Sequence, residues 1–157
     1  MKSLFDLNEV CALRQHWKNE GKRVVFTNGC FDLLHPGHIT YLQDAQALGD
    51  CLVVGLNDDA SIQRLKGASR PINPLHDRAV MLAALRSVDA VVAFSEDTPL
   101  NLITALMPDL LVKGGDYSVD TIVGAREVVA TGGEVKVIPF LEGYSSTRLI
   151  HRITQGA

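Results

Sequence analysis

The sequence predicts an α/β protein: a doubly wound parallel sheet of five strands with helices on both faces, folded as a single domain over residues 1–157. Three observations carry that expectation. Short apolar runs rich in β-branched residues alternate with segments of helical period, the pattern of strands joined by crossover helices. The runs are nearly continuous in Val, Ile, Leu or Phe, as in strands covered on both faces. A chain of 157 residues, 46% of them hydrophobic and 21% charged, can also bury roughly 70% of the surface that its unfolded form exposes, so one core suffices without disulfides or a structural metal.

The first element is a helix from about Asn8 to Glu20, with Val10, Leu13 and Trp17 inward and Gly21 at its end, so residues 1–21 form an amino-terminal helix packed on the domain. Arg23–Thr27 is the first strand. Pro36-Gly37-His38 opens a helix, proline being preorganised for the first helical position, with Ile39, Leu42 and Ala45 inward and Gly49 closing it. Cys51–Leu56 is the second strand. Asn73-Pro74 sets a capping residue before a proline and opens a helix with Leu75, Ala79, Leu82 and Leu85 on one side. After the third strand, Ala90–Phe94, Thr98-Pro99 repeats that start for a helix that runs through Leu106 and stops before Pro108. Leu110–Lys113 is the fourth strand, a helix follows from about Gly124 to Gly132-Gly133, and Val135–Phe140 is the fifth strand. Ser145 and Ser146 cap a last helix that carries Leu149, Ile150 and Ile153. No repeat, low-complexity stretch or linker divides the chain. Parallel strands with right-handed crossovers make a Rossmann-like sheet, whose ligands bind outside the strand carboxyl ends, here just after Thr27, Leu56, Phe94, Lys113 and Phe140.

Charge and cysteine usage narrow the function classes. Fifteen basic and eighteen acidic residues give a net charge of -3, which supplies no broad positive field for nucleic acid, so any polyanion site must be local. No stretch reads as a secretory signal or a membrane span, and three cysteines, Cys11, Cys30 and Cys51, without a Cys-x-x-Cys spacing fit a reducing cytoplasm. Cys30 lies within the most informative motif, but no His–Cys pairing is readable that would make it a nucleophile.

That motif runs Asn28-Gly29-Cys30-Phe31-Asp32-Leu33-Leu34-His35-Pro36-Gly37-His38. Gly29 lets the backbone approach a ligand closely, and His35 and His38 stand where a helix begins, with its unpaired N–H groups and positive dipole end, so the segment reads as an anion site. It lacks both the Gly-x-Gly-x-x-Gly spacing of dinucleotide binders and the Gly-Lys-Ser/Thr ending of a P-loop, which argues against a dehydrogenase and an ordinary kinase. Two histidines at this spacing also admit a metal pair or a purely structural role. Read alone, Ser145-Ser146-Thr147 is an ordinary helix cap, Arg64 and Lys66 a solvated loop, and Asp58-Asp59 the cap of the following turn.

Gly29-Cys30-Phe31-Asp32 with His35-Pro36-Gly37-His38 resembles the signature of the His-x-Gly-His nucleotidyltransferase superfamily, and Gly143-Tyr144-Ser145-Ser146-Thr147 resembles its second hallmark, Ile-Ser-Ser-Thr-x-x-Arg. Lys66, His76-Asp77-Arg78, Val88-Asp89 and Gly115-Asp116-Tyr117 match the cytidylyltransferase-like branch, so the likeness covers roughly residues 22 to 153. Phe26 to Asp32, Gly55 to Asp59, Lys113 to Tyr117 and Gly132 to Val135 are most similar to the heptose 1-phosphate adenylyltransferase family, also called ADP-heptose synthases, in its free-standing form. The chain departs from the second hallmark at Ile150, where the motif has arginine, and carries Arg148 instead. It also has Phe140-Leu141 where related cytidylyltransferases place an arginine.

The resemblance implies transfer of AMP from ATP to D-glycero-β-D-manno-heptose 1-phosphate, with release of pyrophosphate, for lipopolysaccharide core or related glycan precursors. His35 and His38 would contact the triphosphate, His38 nearest the α-phosphate, and Lys66 completes the implied catalytic set. Asn28, Gly29, Cys30, Phe31, Asp32 and Gly37 line the nucleotide site in that picture. Arg64 approaches from the second crossover, Arg78 from the third helix, and Ser145, Ser146, Thr147 and Arg148 from the last. Gly115 and Asp116 add nucleotide contacts, and Lys113, Asp116 and Tyr117 read substrate hydroxyls. Mg²⁺ bridges phosphates, with Asp32 orienting the motif or approaching the metal. Partners are then ATP and a sugar 1-phosphate, with no nucleic acid or membrane, in a cytoplasmic homo-oligomer, most simply a dimer. Glycerol-3-phosphate cytidylyltransferase stands as the alternative, with phosphopantetheine adenylyltransferase behind it because the leading helix and Lys113–Tyr117 fit it poorly. A nucleotide-binding regulator without turnover is the reading from another class.

Overall fold

The structure is a computed structural model and describes residues 2–155. Five parallel strands, β1 (Val24–Gly29), β2 (Cys51–Asn57), β3 (Ala90–Phe94), β4 (Leu110–Gly114) and β5 (Glu134–Ile138), lie in the order β3-β2-β1-β4-β5. The direction of winding reverses between β1 and β4, so their carboxyl ends open a crevice there. Seven α-helices accompany them among the described residues: α1 (Leu7–Asn19), α2 (Pro36–Gln46), α3 (Asp59–Lys66), α4 (Leu75–Ala83), α5 (Leu100–Leu106), α6 (Ala125–Ala130) and α7 (Ser146–Gln155).

Successive strand residues face opposite sides, which divides the core in two. Val24, Phe26, Val53, Val92 and Leu111 pack with Val10 and Trp17 of α1, Leu102, Ile103 and Leu106 of α5, and Val128 of α6. Val25, Leu52, Val54, Val91, Leu110 and Val112 pack with Tyr41, Leu42 and Ala45 of α2 and with Ala79 and Leu82 of α4. The amino-terminal helix belongs to the first layer, and Phe5 ahead of it forms a parallel bridge with Val92 at the sheet edge.

Strand starts are held by carboxylates. The Arg23 and Val24 N–H groups donate to Asp50 and Asp109, and the Leu52 N–H to Asp89. Each occupies a backbone donor at or beside the start of its strand.

Three local expectations are corrected. Residues 59–66 form a helix, capped by Asp58, whose carboxylate accepts from the Ser61 N–H at 2.7 Å. The helices after Asn73-Pro74 and Thr98-Pro99 start one residue later, with proline itself at the cap and no side-chain cap bond, and the Asn73 side chain instead donates from Nδ2 to the Asp32 carbonyl. As an edge strand β5 has no buried residue, so the expectation of five strands covered on both faces holds for four. No residue of α7 is buried, and its Ile153 is 75% exposed.

Candidate active site

A cleft of about 580 Å³ opens at the carboxyl ends of the strands, around the β1/β4 reversal. β1 delivers Asn28 and Gly29 and the turn Cys30–Asp32; α2 delivers His38, β2 Asn57, α3 Lys66 and β4 Lys113. Arg70, Thr98, Tyr117, Phe140 and Ser146 complete the lining.

The turn after β1 is rigid. Phe31 takes φ 43, a conformation that L side chains rarely adopt and that persists only where the surroundings impose it. Its buried ring lies 5.3 Å from that of His38. A Cβ on Gly29 would stand 2.9 Å from the Phe31 ring, so glycine there makes room for Phe31 as much as for a ligand. Asp32, 2% exposed, anchors the turn: its carboxylate accepts from the backbone N–H groups of Ile72 and Asn73 and from Arg70 Nε. Burial alone would raise this carboxyl, but the N–H groups of Asn73 and Ile72 and the Arg70 guanidinium outweigh it and hold it below its ordinary range. With both oxygens engaged by N–H donors, Asp32 orients the motif.

His35 caps α2. Its Nδ1 accepts from the His38 N–H at 3.3 Å, and the two rings stack at 3.7 Å. His38 forms the cleft wall and His35 stands behind it. Burial pushes His38 down to about 4, with the charges of His35 and Lys66 adding to it, so the imidazole is neutral at neutral pH; its Nδ1 is buried without a partner. Lys113 Nζ donates to Asn28 Oδ1 at 3.2 Å, and burial lowers its pKa. Cys30 Sγ has only a 3.9 Å contact with Asn57 Oδ1, and no histidine activates it.

Other expected residues sit elsewhere. Arg78 is fully buried: Nε donates to the Asn73 carbonyl, Nη1 to those of Cys30 and Asn57, and Nη2 to Asp59. Its guanidinium ties the loops after β1 and β2 to α4 and is buried away from the cleft lining, so the nucleotide role expected of it is corrected. Arg64 is exposed and paired with Asp97 and the Ser95 carbonyl, outside the cleft lining. Ser145 accepts from the Arg148 N–H, and Arg148 Nη1 donates to the Gly143 carbonyl, so both finish the helix start; Thr147 is exposed. Ser146 does reach the cleft, where its hydroxyl donates to the Leu33 carbonyl at 3.0 Å and ties α7 to the histidine turn. Gly37 is buried against His35, Gly115 is buried beside the cleft, and Asp116 is exposed outside its lining.

Sequence reasoning missed Asn57, Arg70, Thr98 and Phe140. Arg70 lies in a turn-rich stretch without periodicity, and only the pairing of an arginine with the motif's buried aspartate could have pointed to it.

Two carboxylates line the cleft, Asp32 and Asp97, and each is paired with an arginine. That leaves Lys66, Lys113 and the free end of Arg70 facing space for a polyanion, with neither a free carboxylate base nor an activated thiol among the described residues. Such a cleft suits a transfer in which the nucleophile arrives already ionised and the group attacked is a phosphate. With the His-x-Gly-His turn on a doubly wound sheet, fold and site together define a nucleotidyltransferase. The chain belongs to the cytidylyltransferase-like family, whose model matches residues 26–152.

It is 57% identical over 136 residues to the bifunctional protein HldE of Shewanella baltica (strain OS185), a match over 87% of this chain and 29% of that protein. To HldE of Mesorhizobium japonicum it is 52% identical over 155 residues, 99% of this chain and 31% of that protein. The chain thus spans about three-tenths of the length of these curated relatives. The lipopolysaccharide core biosynthesis protein of Thermoplasma volcanium superposes with a TM-score of 0.62 at 30% identity, over 80% of this chain and all of that one. A pantoate–β-alanine ligase from Francisella tularensis, in complex with beta-gamma ATP and β-alanine, gives a TM-score of 0.62 at 16% identity over 94% of this chain and 75% of its own, a likeness of fold. Among the described residues no helix is long and apolar enough to cross a membrane.

Proposed function

We propose that the chain joins the AMP part of ATP to a sugar 1-phosphate, D-glycero-β-D-manno-heptose 1-phosphate, giving ADP-heptose and pyrophosphate. The observation that carries the chemistry is the neutral, half-buried His38 at the cleft wall beside Lys66, where the lining carboxylates are already paired. The sugar is supported by the runs Phe26–Asp32 and Lys113–Tyr117 and by the similarity to HldE and to a lipopolysaccharide core biosynthesis protein.

A sugar phosphate oxygen, ionised at neutral pH, attacks the α-phosphorus; the new P–O bond forms as the bond to pyrophosphate breaks, and no proton need be removed by the protein. Catalysis then reduces to alignment and stabilisation of spreading charge. His38 donates to an α-phosphate oxygen, and the approaching triphosphate raises its affinity for a proton. Pro36 has no N–H and His38's is taken by His35, which leaves the Gly37 N–H of the first turn of α2 for the phosphates. Lys66 and Lys113 flank them. Mg²⁺ accompanies the triphosphate in this reading and would neutralise part of its charge. The cleft offers it no free carboxylate, so its ligands would be phosphate and water oxygens, and no step above passes through it. The same reading puts the protein in the cytoplasm as a homodimer, which light scattering of the purified chain tests.

The deciding experiment is pyrophosphate release from ATP, CTP, GTP and UTP, each offered heptose 1-phosphate and glycerol 3-phosphate. ATP with heptose 1-phosphate is the expected pair. Equal or better turnover of CTP with glycerol 3-phosphate overturns the substrate assignment, and nucleotide binding without turnover on any acceptor would indicate a regulator.

A further inference from the structure

We propose that Arg70 binds a phosphate oxygen of a substrate, with Asp32 as the residue that holds its guanidinium in place. The proposal rests on the reading of the cleft as a nucleotidyl-transfer site and adds to it a phosphate ligand that stands outside both sequence motifs.

Arg70 lies in the loop between α3 and α4, its N–H bonded to the Gly67 carbonyl. Its side chain is 11% exposed and forms part of the cleft wall with His38 and Lys66. One edge is committed: Nε donates to Asp32 Oδ2 at 2.6 Å. The other end is not. Among the described residues neither terminal nitrogen has a hydrogen-bond acceptor, and Nη2 is buried without one. A buried donor left unpaired is costly, most of all on a charged group.

Asp32 does not need the arginine in order to be satisfied. Three contacts from the Ile72 and Asn73 N–H groups, at 2.8 to 2.9 Å, already fill its oxygens. A tether for Asp32 therefore explains one nitrogen of Arg70 and leaves its two terminal nitrogens unexplained. A guanidinium fixed along one edge presents its remaining N–H groups as a rigid fork, the arrangement that suits a phosphate's paired oxygens and that a lysine cannot reproduce. Lys66 adds charge to the same wall, and the other carboxylate there, Asp97, is turned to Arg64. The ligand chemistry is thus a phosphate oxygen, which either the triphosphate or the acceptor's phosphomonoester can supply.

Calorimetric binding separates the two sources without any turnover. Wild type, Arg70→Gln and Arg70→Lys are titrated with ATP, inorganic pyrophosphate and heptose 1-phosphate, and the melting temperature of each is recorded. Loss of charge-assisted hydrogen bonds predicts that Arg70→Gln weakens its ligand about 10- to 100-fold, and that Arg70→Lys, which keeps charge but not the fork, stays at least several-fold weaker than wild type. Weakening of ATP and pyrophosphate assigns Arg70 to the triphosphate, and weakening of heptose 1-phosphate alone assigns it to the acceptor. Unchanged affinity for all three, with only a lower melting temperature, overturns the proposal and leaves Arg70 as a tether. Should Arg70→Gln fail to fold, Arg70→Lys decides by the same criterion. Because these are binding measurements, a wild-type chain that binds phosphates yet transfers nothing refutes the function proposed above while still testing Arg70.

Discussion

His38 and Arg78 were both read from the sequence as phosphate contacts, and their surroundings separate them. His38 faces the cleft, uncharged, with its ring braced by His35. If it donates to the α-phosphate as charge builds there, His38→Ala lowers kcat by about 10²- to 10³-fold, in line with the loss of one oxyanion donor, while ATP binding weakens far less. Stopped-time pyrophosphate assays and ATP titration on one preparation check this; near-normal kcat would remove His38 from the reaction. Its titration also marks stability. The folded pKa, about 4, lies below the ordinary 6.5, so between those values the unfolded chain takes the proton and the folded chain resists it. The contribution is therefore complete above pH 6.5 and is lost as pH falls toward about 4. Asp32 is lowered too, so its contribution is present above the ordinary 3.8 and is lost only at more acid pH. The melting temperature of wild type should drop more steeply between pH 6.5 and 4 than that of His38→Gln, and parallel curves would contradict the assignment.

At the scale of elements, the site is assembled by side chains that bind one segment's backbone to another. Arg78 on α4 holds the carbonyl ends of the Cys30 turn and of β2 and reaches Asp59 at the start of α3. Replacing it with Met leaves those acceptors without a partner and breaks the pair with Asp59, so Arg78→Met should cost about 3 kcal/mol of folding stability, the low end for a broken buried pair, because Asp59 keeps access to water. Urea unfolding measures this. A KM for ATP raised tenfold with stability intact would instead restore Arg78 to the nucleotide site. The sequence could not separate these cases, since an arginine beside His76-Asp77 looks the same whether its partners are phosphates or three backbone carbonyls, two of them from distant segments. The reverse held for α3: Asp58 was legible as a cap, but eight residues with apolar Ile62 and Leu65 carry too little period to announce a helix.

For the whole molecule, a net charge of -3 coexists with a cleft whose own carboxylates are neutralised pairwise. Binding of a polyanion there should stabilise the folded state by mass action: at 100 times its Kd, ATP adds about 2.7 kcal/mol, roughly 5–10 °C in melting temperature for a domain of this size. The shift should shrink as salt rises. Scanning calorimetry with and without ATP checks both, and no shift at saturating ATP would deny the site its ligand class. The class of fold, the positions of the five strands and the histidine turn were all legible in the sequence, because apolar period, proline and glycine placement and a contiguous motif are properties of neighbouring residues. The exposed edge of β5, the uncovered α7 and the order β3-β2-β1-β4-β5 depend on which element lies beside which, and local pattern carries no record of that. The same holds for Asp32 and Arg70, 38 residues apart in the chain. Only the closed fold removes water from around them, and with water gone a charged group must find a partner or wait for a ligand.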